Sequence, residues 1–348
     1  RVFIMKTRQS SAVNTPKNIL VTGGGGFLGN AIVRQLLAKG DRVVSFSRGT
    51  YPDLDALDVP QLSGDIADAD AVKDALRGMD AVFHVAAKAG VWGALEEYHR
   101  PNVIGTRNVI SACRSSRVPM LIYTSSPSVV FDGGDMQGVD ESVPYPAQYH
   151  APYPQTKAMA EQAVLAAADD TLKTVALRPH LIWGPQDNHL VPRIIARADS
   201  LRRVGDGENR VDTIYVDNAA RAHVLAMAAL EKNPAVSGSA YFISDDDPIG
   251  LWEMVDRILD AGDKPPLTKT VSPRAAYWIG ALMEWVYRTF GISGEPRMTR
   301  FVARELATSH WFDISAAKRD LGYTADISIE EGMKRLKDWL RESTSLSP

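Results

Sequence analysis

A phenol and an ammonium set four residues apart can do proton chemistry. Tyr153-Pro154-Gln155-Thr156-Lys157 carries such a pair. On a helix, positions i and i+4 share a face, so the two side chains become neighbours. A free phenol titrates near ~10. A nearby ammonium or an oxidised nicotinamide favours the phenolate and lowers that value. Such a tyrosine can protonate a carbonyl oxygen as a hydride reaches the carbon. The spacing is common by chance, so it needs a partner. Tyr123-Thr124-Ser125-Ser126 ends an expected strand, at the edge where open α/β sheets bind ligands. There Ser126 can hold the substrate oxygen, although a serine pair after a strand suits simple capping equally well.

A hydride needs a donor, and the sequence has a place for one. Thr22 to Gly29 (TGGGGFLG) sets glycines at 23, 26 and 29 between an apolar strand and a helical stripe. Gly23 permits a sharp turn, Gly26 lets the backbone approach a pyrophosphate, and Gly29 lets the helix pack close. Beyond them, Phe27 and Leu28 open a helix whose free N–H groups suit an anion. At the end of the second strand, a carboxylate would bind a ribose 2′-OH. This chain has Ser47-Arg48 instead, which suits a 2′-phosphate through charge-assisted bonds and points to NADP(H). A solvated loop arginine is the plainer alternative. Asp65 and Ile66 are expected near the adenine edge, and Ala86, Ala87 and Pro179 at the ends of further strands. Tyr153 and Lys157 are read as cofactor contacts too.

Substrate candidates are weaker. Lys88 follows the Ala86-Ala87 loop and could pair with a carboxylate. His180 follows Arg178-Pro179 at a strand end, where a packed, hydrogen-bonded histidine is the simpler expectation. Trp278 belongs to an aromatic stretch, Ala275 to Phe290, whose positions 278, 282, 285 and 286 fall on one helical face. Core packing is the first reading of that face, a wall for long alkyl chains the second, and membrane-surface contact the third.

The elements that must position these groups read as alternating strand and helix. Strands are expected at 19–22, 42–46, 81–86, 120–124, 174–178, 213–216 and 240–244, and helices at 29–39, 71–76, 102–115 and 153–168. That rhythm implies a doubly wound parallel sheet of the Rossmann type with right-handed crossovers. It covers residues 17–183 as an NADP(H)-binding domain, with 211–232 and about 240–245 expected to return to it. Residues 184–210 and 246–348 then form a smaller, mostly helical substrate-binding region, and 1–16 a polar N-terminal extension with no signal-peptide-like apolar stretch.

Composition excludes several classes. With 39 Lys and Arg against 42 Asp and Glu, the net charge of −3 makes a poor nucleic-acid binder. The single Cys113 excludes a disulfide framework, and seven histidines without an H-x-x-x-H pair argue against a metal. The longest apolar stretch near the aromatic face, Ala275 to Met283, is nine residues, against the about 20 of a membrane span. A cytoplasmic protein is the resulting expectation.

Taken in order, TGGGGFLG, GDIAD (64–68), HVAA (84–87), NVIGTRNVI (102–110), YTSS, YPQTK, LRPHLIWGP (177–185) and IYVDNAARAH (214–223) resemble the extended short-chain dehydrogenase/reductases over about residues 18–340. Dehydratases of that family carry an Asp-Glu pair where Pro127 and Ser128 stand here. Its nucleotide-sugar epimerases have an arginine where this chain has Val211. The stretch from Val211 to His223 is similar to the 3β-hydroxysteroid dehydrogenase branch, which often has an acidic residue at the position of Ser47; that puts NAD in doubt here. HVAAKAGVWG, APYPQTKA, LIWGPQDNHLVPR and RGTYPDL resemble the bacterial olefin-biosynthesis reductases, which reduce 2-alkyl-3-oxoalkanoates with NADPH. That resemblance implies a small lipid-like substrate, with a β-lactone synthetase and a β-lactone decarboxylase as partners; a homodimer is expected. Two alternatives stand beside it: a 3β-hydroxysteroid-type dehydrogenase, and a non-catalytic NADP(H)-binding redox-sensing regulator.

Overall fold

Seven short strands, the central ones rich in aliphatic residues, form the main sheet of the computed structural model, which describes residues 15–345. They are β1 (Asn18–Thr22), β2 (Arg42–Ser47), β3 (Gln61–Ser63), β4 (Ala81–His84), β5 (Met120–Thr124), β6 (Lys173–Pro179) and β7 (Ser239–Ile243). Their order across the sheet is β7-β6-β5-β4-β1-β2-β3, with every neighbour parallel. Alternate residues of the central strands feed two cores. Ile19, Val21, Phe83 and Ile122 enter one, and Leu20, Val82, Leu121 and Tyr123 the other. A strand buried on both faces must read as a continuous apolar run, and these do. The strand order reverses between β1 and β4, which opens a crevice at their C-terminal ends.

The flanking helices cover the two faces by their apolar stripes. α1 (Phe27–Ala38) and α4 (Val216–Lys232) pack on the first core. α2 (Gly105–Ser116) packs on the second, and α3 (Pro152–Ala166) sends Ala160 and Val164 into it. Cys113 lies inside that second core, where burial pushes its thiol up to about 12. The fold is doubly wound and of the Rossmann type.

Three features depart from the pattern of the sequence. Of the Thr213–Val216 run, only Ile214–Tyr215 is extended. It pairs with Ile182–Trp183 rather than entering the main sheet, and Val216 already starts α4. The Asp245 carboxylate accepts the Tyr215 N–H at 2.9 Å, which fixes this turn. The second region is also less helical than its composition suggests. Met136–Val139, His310–Phe312, Arg210–Val211 and Ile249–Gly250 form a mixed four-stranded sheet that ties it to the first region. Thirdly, the expected helix at 102–115 begins earlier, with a π-helical turn at Arg100–Ile104.

Beyond α5 (Leu251–Ala261) lies α6 (Pro273–Phe290). Of the expected N-terminal extension, residues 1–14 lie outside the described residues. No helix among the described residues is long and apolar enough to cross a membrane.

Candidate active site

The glycine turn comes first along the chain. Gly23 sits at φ +72° and donates its N–H to Phe46 O at 2.9 Å. A β-carbon on Gly29 would stand 2.1 Å from the Gly23 carbonyl oxygen, so strand and helix approach as closely as the backbone allows. α1 begins at the Gly26 cap with no side chain on its first N–H groups, which leaves them for a ligand. Thr22 Oγ1 accepts the Val85 and Ala86 N–H groups at 3.1 and 3.2 Å and contacts His84 Nδ1 at 2.8 Å. His84 Nε2 meets Thr106 Oγ1 at 2.9 Å. Burial lowers the His84 imidazole to about 3, so this tie between β1, β4 and α2 is neutral.

A cleft of about 890 Å³ runs from this turn across the sheet edge. Gly23, Gly26, Phe27, Leu28, Gly29, Ser47, Arg48, Asp65, Ile66, Ala86, Ala87, Ser126, Tyr153, Lys157 and Pro179, all expected from the sequence, line it together with Lys88. Arg48 is exposed at its rim, its carbonyl oxygen accepting from Ser63 Oγ at 3.2 Å. The Ser47 and Ser125 hydroxyl oxygens are buried without a hydrogen-bond partner. Orphaned hydroxyls of this kind are costly unless a ligand meets them. With the bare turn and the tight glycines, they fit a dinucleotide. Asp65 is partly committed, holding Arg100 at 2.9 Å and the Ala67 N–H at 2.9 Å.

The proton-transfer groups sit at the far end of the cleft. Ser126 caps the turn Pro127–Val130, accepting the Ser128 N–H at 3.2 Å. Capping and substrate contact are therefore compatible rather than alternative readings. Pro152, with its preset φ, opens α3 and puts Tyr153 in the first turn, Lys157 one turn on and Glu161 a further turn on. Burial pushes the Tyr153 phenol up to about 12, against a hydrogen bond with Ser126 that lowers it. The Lys157 ammonium donates to Thr124 O at 2.6 Å and lies 4.2 Å from the Tyr123 ring centre. Burial brings it down to about 7, while the Glu161 charge raises it.

Beneath Lys157 is a support the sequence reading missed. Glu161 and Arg178 are 0 % and 3 % exposed. Arg178 donates Nε and Nη2 to the carboxylate at 3.0 and 2.6 Å, and the Tyr145 hydroxyl donates at 2.6 Å. The signal was the i+4 step from Lys157 to Glu161 on the same helical face. Asn102 is a second such residue. It bonds both backbone groups of Lys88, at 2.7 and 3.1 Å, and Thr156 Oγ1 at 3.1 Å, so it joins the cleft loop to α3. Leu181, Ile182, Asn188 and His189 also line the cleft. Leu181 does so in the left-handed region, at φ 45°, a strain that non-glycine residues carry mostly at functional sites.

The substrate candidates separate. Lys88 is in the cleft wall, ion-paired with Glu97. His180 turns away, its ring against His310 and Phe312 at 5.8 and 5.3 Å. It packs as the simpler reading held, but its Nε2 is buried without a hydrogen-bond partner. Trp278 does not line the cleft; it is 70 % exposed. The core reading of its helical face fails with it, since Leu282 and Trp285 are also exposed.

The model of the 3-beta hydroxysteroid dehydrogenase/isomerase family matches residues 20–270. The chain belongs to this family. Like the other extended short-chain dehydrogenase/reductases, its members are oxidoreductases acting on CH–OH/C=O groups with a nicotinamide cofactor, and this chain is such an enzyme. Within the family it is similar to the 2-alkyl-3-oxoalkanoate reductase of Stenotrophomonas maltophilia (strain K279a), 52 % identical over 92 % of this chain and 98 % of that protein. The mouse sterol-4-alpha-carboxylate 3-dehydrogenase (decarboxylating) is 34 % identical over 94 % and 92 %. Among solved structures, MoeE5 in complex with UDP-glucose and NAD superposes with a TM-score of 0.73 at 26 % identity, over 94 % of this chain and 99 % of that one.

Proposed function

We propose that this family member reduces the 3-oxo group of long-chain 2-alkyl-3-oxoalkanoic acids to the 3-hydroxy acids, using NADPH, in long-chain olefin biosynthesis. The observation that carries the reading is the set Ser126, Tyr153 and Lys157 gathered at one end of a cleft in a chain half identical to a reductase of that name.

Gly23, Gly26 and the first turn of α1 would hold the pyrophosphate, and Ser47 with Arg48 a 2′-phosphate. The bound nicotinamide supplies the hydride to the 3-oxo carbon. Ser126 donates a hydrogen bond to the 3-oxo oxygen and fixes it beside Tyr153. Tyr153 gives that oxygen its hydroxyl proton, which completes the alcohol. Lys157, fixed by Thr124 O, stabilises the phenolate left behind. Asn102 keeps Lys88 and its loop against α3, where Lys88 could meet the substrate carboxylate in exchange for Glu97. We place the enzyme in the cytoplasm as a homodimer, with a β-lactone synthetase and a β-lactone decarboxylase as the next enzymes on its product.

NADPH oxidation against a panel tests this: 2-alkyl-3-oxo acids of increasing length, simple ketones and ketosteroids. Each methylene moved into an apolar site is worth about 0.8 kcal/mol, so kcat/KM is expected to rise roughly tenfold per two methylenes until the site is filled. Tyr153→Phe keeps cofactor affinity and loses roughly 10²-fold or more in kcat. A preference for ketosteroids would favour the 3β-hydroxysteroid reading. Cofactor binding without turnover of any member of the panel would favour a regulator.

A further inference from the structure

A second cleft, of about 1000 Å³, shares no lining residue with the active-site cleft. It lies where α5 packs on α7 (Ile329–Ser345), bordered by the segment between the short strands Arg203–Val204 and Arg210–Val211. Its walls carry both signs of charge, and most of the carboxylates are already committed. Glu253 and Glu330 hold Arg257 at 2.7 and 3.3 Å, and Asp260 holds Lys337 at 2.9 Å. Asp256 accepts Arg203 Nη2 at 2.6 Å with one oxygen and the Leu267 N–H at 2.9 Å with the other. Glu208, at the exposed rim, is the one carboxylate of the cleft without an ion pair among the described residues.

The groups left over are donors. The Arg203 Nε–H and the Trp252 indole N–H are buried without a hydrogen-bond partner, and Trp252 as a whole is only 3 % exposed. A buried N–H group with nothing to accept from it is costly. Arg210 stands opposite Gly250 in the strand pairing, two residues before Trp252. It gives one nitrogen to Pro248 O and has no carboxylate partner among the described residues. All three side chains lack the same thing, an oxygen acceptor.

The segment beside them leaves room for one. Gly205 and Gly207 both take positive φ, +86° and +92°, a conformation that suits glycine. A β-carbon on Gly207 would stand 3.9 Å from Trp252 Cδ1, the ring carbon next to the indole nitrogen, so a single glycine separates that edge of the indole from the cleft. Ala261 and Met333 add apolar wall. Concave shape, apolar wall and a few convergent polar groups are the marks of a small-molecule site.

We propose that this second cleft binds a small organic anion, whose carboxylate or phosphate oxygens are taken by Arg203 Nε, the Trp252 indole N–H and the Arg210 guanidinium as the Gly205–Gly207 segment shifts to admit it. The site stands whatever reaction the first cleft performs. Binding is read on the full chain saturated with NADPH, so that the glycine turn is already filled. The tryptophans carry ¹⁵N at the indole nitrogen, and the Trp252 resonance is assigned by its loss in Trp252→Phe. Hexanoate and phenyl phosphate are titrated separately. The Trp252 N–H is expected to move downfield and saturate, and the probe that does so at the lower concentration identifies the head group. Arg203→Lys keeps a charge for Asp256 and removes the Nε donor; it should weaken binding by roughly tenfold or more. The two exposed charges should act in opposite senses, Arg210→Gln weakening the anion and Glu208→Gln tightening it by about two- to fivefold each. If Arg203→Lys fails to fold, that opposition of sign still decides. A Trp252 resonance that neither probe moves, binding undiminished in a folded Arg203→Lys, or an affinity that rises in Arg210→Gln and falls in Glu208→Gln would each overturn the proposal.

Discussion

Replacing Glu161 by glutamine tests the support beneath the active site. The pair with Arg178 is buried on both sides. Removing the carboxylate charge leaves a buried guanidinium uncompensated, which costs on the order of 3–5 kcal/mol. Glutamine keeps an oxygen that can still accept from Arg178, so the low end is expected, about 3 kcal/mol. That is a hundredfold or so in the folding equilibrium, and a large part of a typical stability of about 5–15 kcal/mol. Denaturant unfolding reads it directly. The pair Glu161→Leu/Arg178→Met should recover most of the loss, because an apolar pair of similar volume removes both desolvation penalties. The activity carries a second signature. Glu161 raises Lys157, which burial already holds at about 7; without that charge the ammonium loses its proton at still lower pH. The limb of the pH–rate profile set by Lys157 should therefore move to more acid pH in Glu161→Gln. A single variant within about 1 kcal/mol of wild type, with an unmoved profile, would refute this reasoning.

Arg48→Ala should weaken NADPH by roughly 10- to 150-fold and leave NADH nearly unchanged, the range expected for a lost charged hydrogen bond; fluorescence titration with both cofactors decides it, and equal weakening would make Arg48 structural. Gly29→Ala would force a methyl to 2.1 Å from the Gly23 carbonyl oxygen, so cofactor affinity should collapse even where the fold survives; a variant with wild-type affinity would contradict the close approach. Lys157→Met should abolish turnover and stabilise the apoprotein most below pH 7, because the cost of burying the charge is present in full there. That advantage should fade as pH rises from about 7 towards the unfolded value of 10.5, where wild type gains stability by folding with a neutral amine. Unfolding curves at pH 6 and pH 9 whose difference is constant would count against the buried ammonium.

The local chemistry was legible in the chain. The glycines at 23, 26 and 29, the serine pair and the Tyr153–Lys157 step act within one turn or one helical face, so their spacing fixes their geometry. Apolar runs buried on both faces gave the central strands, β5 to the residue, because a parallel sheet leaves no polar side to blur the pattern. Periodicity alone could not tell what would cover an apolar face. The stripe from Trp278 to Phe290 reads as core, yet it lies outside, because α6 is seated through Gly280 and the Glu284–Arg300 pair. Nor could it place His180, whose neighbours His310 and Phe312 lie about 130 residues away along the chain. Glu161 needed Arg178 and Tyr145 from other elements before it became part of the site. Sequence by itself determined which residues can turn, bind a phosphate or move a proton, since these depend on neighbours along the chain. Only the tertiary structure decided which faces are covered and which charges are buried, since burial depends on what the rest of the chain brings alongside.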